Sequence, residues 1–157
     1  MTGHQAKGIL MTRLPRIIGG FALLAALMPT VLRADDKDVI EYRKHIMSTL
    51  NAQTAALGMI LSSAVPDDNT VGHLEVIALT AKTALKAFEP RVQGGEAKPE
   101  VWSNWADFSK RMNEFVQSSD RVAKLAREKG KEAAIAVVLD ALPCKSCHDL
   151  YRNEPKT

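Results

Sequence analysis

Cys144-Lys145-Ser146-Cys147-His148, followed by Asp149-Leu150-Tyr151-Arg152, lies close to the C-terminus and decides how this chain is read. Two cysteines separated by two residues, with a histidine directly after the second, form the pattern of covalent haem attachment. Each cysteine sulfur would bond a vinyl group, and the histidine would set an imidazole nitrogen on the iron. The spacing has a physical reason. On a helix, residues three and four apart share a face, so Cys144, Cys147 and His148 can meet one side of a porphyrin.

Other chemistries fit these residues less well. A structural zinc ion takes four ligands, usually from two such pairs. The chain has only two cysteines, and its other histidines, His4, His45 and His73, stand apart. A thioredoxin-like pair sits near a βαβ pattern, and no alternating run precedes this motif. A disulfide across two residues closes almost no loop and would stabilise little. One covalently bound haem c is therefore the expected cofactor. Cys144 and Cys147 would attach it, and His148 would be its proximal iron ligand.

The other end of the chain reads as an export signal. Lys7, Arg13 and Arg16 form a basic region, Ile17 to Met28 an apolar run, and Ala34 a cleavage position. Leu32 departs from the small residue preferred there, and Met11 is an alternative start. Arg16 and Arg33 enclose sixteen uncharged residues, short of the roughly 20 apolar residues of a spanning helix. Cleavage is therefore expected over anchoring, with residues 1–34 as signal peptide, 35–157 as one domain, and the periplasm as destination. The segment removes four basic residues and no acidic one, leaving 17 against 18, a net charge of −1. So balanced a charge gives no basic face for nucleic acid.

Four helices are expected between. The first covers 36–63, with Asp35 and Asp36 at its start. Ile40, Met47, Leu50, Thr54, Leu57 and Leu61 recur along it at helical spacing. Val65-Pro66-Asp67-Asp68-Asn69 breaks the pattern. The second runs from Thr70 to Phe88, with Leu74, Ile77, Ala81, Leu85 and Phe88 inward. The third starts at Pro99, a proline tolerated at a first helical position, and runs to Lys129. Its buried stripe is Trp102, Trp105, Phe108, Met112, Phe115 and Val122, and Gly130 stops it. The fourth, 131–152, carries the haem motif. Met59 and Met112 read as packing residues. Pro143 lacks a backbone donor and disfavours helical geometry at Leu142, so a kink or break is expected within 139–143. No run alternates with period two. The fold class is all-α, an antiparallel four-helix bundle holding a covalently bound haem.

With these features the chain resembles the class II cytochromes c, the cytochrome c′ group and its low-spin, Met-ligated relatives. The resemblance spans nearly all of residues 36–153. It rests on Val39-Ile40-Glu41-Tyr42-Arg43-Lys44, Lys98-Pro99-Glu100-Val101-Trp102 and the C-terminal haem motif. Such proteins are matured outside the cytoplasm, which suits an export signal. The resemblance implies thioether bonds at Cys144 and Cys147 and proximal ligation by His148. It implies Arg152 near the proximal face and Arg43 near a haem propionate, a carboxylate that guanidinium donors suit.

Met47 falls at the family's distal position. As a sixth ligand its sulfur would raise the reduction potential and close the iron, giving a low-spin electron carrier. That is the leading expectation: a periplasmic monohaem cytochrome exchanging single electrons with redox partner proteins, and not an enzyme. The alternative is a five-coordinate cytochrome c′ in which Met47 only crowds the distal side and nitric oxide or carbon monoxide binds. The resemblance also allows a homodimer through the first two helices.

Overall fold

Asp35 opens the first helix by accepting a hydrogen bond from the Lys37 amide at 3.4 Å, and Asp36 and Asp38 add negative charge where the helix dipole favours it. The protein is described by a computed structural model over residue 3 and residues 35–154; apart from Gly3, the expected signal segment lies outside the described residues. Helix α1 spans Asp36–Leu61. It stops two residues before the expected end, because Ser63 turns left-handed at φ 57° ahead of Pro66.

Helix α2 spans Thr70–Ala84 and tightens into a single 3₁₀ turn over Leu85–Phe88. Leu74, Ile77, Ala81 and Phe88 are buried, as the spacing predicts. The third arm divides at Asn104 (φ −117°, ψ 47°) into α3, Glu100–Ser103, and α4, Trp105–Lys129. One continuous helix was the expectation. The asparagine backbone departs from helical geometry while its side chain bonds elsewhere, to Tyr151. Gly130 ends α4 at φ +91°, a conformation glycine adopts without strain.

The fourth arm is three pieces: α5 (Lys131–Ile135), α6 (Val138–Ala141) and α7 (Cys144–Tyr151). The break at Leu142 and Pro143 is where proline chemistry places it. The break at Ala136 and Val137 was not expected. It falls among Ile135, Val137 and Val138, whose β-branched side chains favour helix poorly.

Helix α2 packs against both α1 and α4, and α4 supports α5 and α6. The arms form a four-helix bundle, and the described residues contain no strand, only isolated bridges. Among the described residues no helix is long and apolar enough to cross a membrane. The core holds Leu50, Leu57, Leu74, Ile77, Val101, Phe108, Met112 and Val122. Met59, expected to pack inward, is instead half exposed, since it lies one residue off the stripe of Leu57 and Ile60. At the end nearest α7, Phe108 meets Phe88 at 4.9 Å and Tyr151 at 5.2 Å between ring centroids, both edge to face. That geometry suits the aromatic quadrupole.

Candidate haem-attachment site

The motif stands on α7, a short helix that Pro143 starts afresh. Pro143 has ψ 51°, outside the helical range, and its carbonyl accepts from the Ser146 hydroxyl at 3.0 Å. Cys144 is exposed, whereas Cys147 and His148 are half-buried, with Cys147 packed against the core. Both cysteines are free thiols. Burial pushes both thiols up, so they are protonated at neutral pH. Burial also lowers the His148 pKa, helped by the Arg152 guanidinium. Both effects favour the neutral imidazole, the form that ligates iron. Among the described residues no hydrogen bond occupies its ring, and no group of three or more histidine, cysteine or acidic side chains gathers around a metal position. Two free thiols and one imidazole on neighbouring turns fit a covalently held haem and fall one ligand short of a structural zinc site.

Helix α7 is fastened at its far end. Tyr151 is 5% exposed. Its hydroxyl donates to Asp107 Oδ2 at 2.6 Å and accepts from Asn104 Nδ2 at 3.2 Å. Arg111 Nε donates to the same carboxylate oxygen at 2.6 Å. The Arg111 guanidinium, and after it the Tyr151 hydroxyl, hold the Asp107 carboxyl below the usual carboxylate range. The backbone adds a second attachment. Lys98 N donates to the Tyr151 carbonyl at 3.0 Å and Asn153 N to the Glu96 carbonyl at 2.8 Å, with Ala97 bridged to Arg152.

Arg152 caps α7 through its backbone, its amide donating to the His148 carbonyl at 2.9 Å, and its side chain points to Glu96 at 3.9 Å. Arg43 is 4% exposed. Its guanidinium donates to the carbonyls of Val92 at 2.6 Å and Gly94 at 3.2 Å, and lies over the rings of Trp102 (5.1 Å) and Phe88 (5.5 Å). Met47, one turn further along α1, is half-buried and packs against the core. His45 is exposed, and His73 bonds Gln53 at 2.7 Å between α2 and α1. The structure thus gathers Cys144, Cys147 and His148 on α7 with Arg152 at its C-cap, and places Arg43 and Met47 together on α1. Sequence reading missed Asp107, Arg111, Asn104 and Tyr151. The four-residue spacing of Asp107 and Arg111 on one helix was the available signal.

The family model described as Cytochrome C' matches residues 38–152. The chain belongs to the cytochrome c′ family. Haem c, covalently attached, is the cofactor of this family and of this chain. A relative from Rhodospirillum rubrum named cytochrome c′ is 36% identical over 83% of this chain and 94% of its own length. A nitric oxide complex of a variant cytochrome c prime from Alcaligenes xylosoxidans superposes with a TM-score of 0.66 at 25% identity, over 78% of this chain and 99% of that one. A carbon monoxide-bound variant of the same protein gives 0.65 at 25% identity, over 77% and 98%.

These likenesses correct one expectation. Met47 as sixth ligand of a low-spin electron carrier does not stand, because the family model and the Rhodospirillum rubrum relative are named cytochrome c′, and the Alcaligenes xylosoxidans cytochrome c prime is solved with nitric oxide and with carbon monoxide bound. Met47 is half-buried and packs against the hydrophobic core, where an unbranched thioether can serve as filler.

Proposed function

We propose that this protein is a five-coordinate haem c protein that binds nitric oxide or carbon monoxide and does not catalyse a reaction. The donor set on α7, two free thiols beside a neutral His148, supports this reading together with the gas-bound relatives. When bound, the haem supplies an iron with one open position for a diatomic ligand.

Cys144 and Cys147 hold it covalently, and His148 provides the proximal nitrogen. Met47 would exclude water with its apolar bulk and would not ligate. Arg152, whose amide bonds the His148 carbonyl, would lie beside the ligating imidazole. Two carbonyls engage only part of the five-donor guanidinium of Arg43, which leaves donors for a propionate. The proposal includes export through cleavage of residues 1–34 and residence in the periplasm. It also includes pairing of two copies through α1 and α2, where Val76 and Leu79 are exposed.

Electron paramagnetic resonance of the ferrous protein with nitric oxide tests the reading. A nitrosyl signal formed at stoichiometric gas is expected. A ferrous protein that forms none is incompatible with it.

A further inference from the structure

Tyr151 follows His148 by three residues on α7, so both side chains leave the same face of the helix. The tyrosine is buried and cannot shift without breaking its bonds to Asp107 and Asn104 and its edge-to-face contact with Phe108. Asp107 is itself held by Arg111, whose Nε donates to the same Oδ2. The other three residues, Asn104, Asp107 and Arg111, all belong to the third arm, at the α3–α4 junction or the first turns of α4. Helix α7 has only eight residues and begins at a proline break, so its own backbone gives it little resistance to rotation. Its orientation is set by what grips its end.

We propose that Tyr151, held by Asp107, is a positioning residue for the His148 imidazole, setting the rotation of α7 and with it the approach of the ring to the iron. This rests on the reading of His148 as proximal ligand. A ring free to tilt makes a weaker bond to the metal, because the nitrogen lone pair no longer points along the bond. The hydroxyl of Tyr151 matters in this account more than its ring. Tyr151→Phe keeps the aromatic contact with Phe108 and deletes only the hydrogen bonds.

The test is resonance Raman spectroscopy of the haem-loaded ferrous protein, reading the iron–histidine stretching band. Tyr151→Phe is expected to broaden the band and shift it to lower frequency. Asp107→Ala is expected to do the same, and the double variant to shift the band by less than the sum of the two, since the Tyr151–Asp107 bond is lost in each. Should Tyr151→Phe fail to load haem, Asp107→Ala alone carries the comparison. A lowered unfolding midpoint with an unmoved band in either variant would show an ordinary structural bond and overturn the proposal. A wild-type ferrous protein without an iron–histidine band would overturn the five-coordinate, His148-ligated haem of the proposed function, and the positioning role with it.

Discussion

The guanidinium of Arg43 donates to the carbonyl of Val92 at 2.6 Å, tying the N-terminal third of α1 to the loop that leads into α3. The same loop pairs with the end of α7 through Glu96, Ala97 and Lys98. One short segment therefore touches both the helix that carries Met47 and the helix that carries His148. Arg43 is buried among aromatic rings, and removing it would leave the Val92 and Gly94 carbonyls without their donors. Arg43→Met should lower stability by about 3 kcal/mol, from the lost charged hydrogen bonds and cation–π contacts. Chemical unfolding of the haem-loaded protein measures this. Arg43→Lys should recover only part of the loss, because a point charge cannot serve two carbonyls in a fixed fork.

Gly94 has φ +125°, and a Cβ there would lie 2.9 Å from Ile40 Cδ1. Gly94→Ala should destabilise by about 1–3 kcal/mol, the usual cost of such backbone strain. Ile40→Val removes the nearest carbon and should relieve the clash without relieving the dihedral strain. The double variant should thus lie between Gly94→Ala and a fully additive loss in thermal unfolding.

Asp107 yields a pH dependence. Arg111, and then Tyr151, lower its folded pKa, so the unfolded chain takes up this proton more readily than the folded one. The stability this group contributes is present above the ordinary carboxylate pKa of about 3.9 and is lost as pH falls through the lower folded value. Asp107→Asn should therefore melt below wild type at neutral pH, and the gap should close on acidification below about pH 4. Melting curves of both proteins across that range would show it; a gap that is constant with pH would refute it.

Met47→Leu should leave the haem spectrum high-spin and nearly unchanged, since an apolar residue of similar bulk replaces a packing residue. A change of spin state on this substitution would restore ligation by the sulfur.

The bundle was legible because periodic apolar spacing and proline chemistry act locally. The stripe through Leu50 and Leu57, the stop at Gly130 and the break before Cys144 all follow from neighbouring residues. The thiols and the imidazole were legible for the same reason, as they lie within five residues. What stayed hidden depends on residues far apart in the chain. Tyr151 meets Asp107 across 44 positions and Arg43 meets Val92 across 49. Nothing near Arg43 in the sequence distinguishes a buried guanidinium from a solvated one. The state of Met47 was equally hidden, since a thioether that fills space and one that ligates occupy the same helix position.

The central claim is an iron open on its distal side. The most direct measurement is the absorption spectrum of the ferrous, haem-loaded protein before and after carbon monoxide. Broad high-spin bands that sharpen and shift as the gas binds are expected. Sharp low-spin bands indifferent to carbon monoxide would contradict the claim.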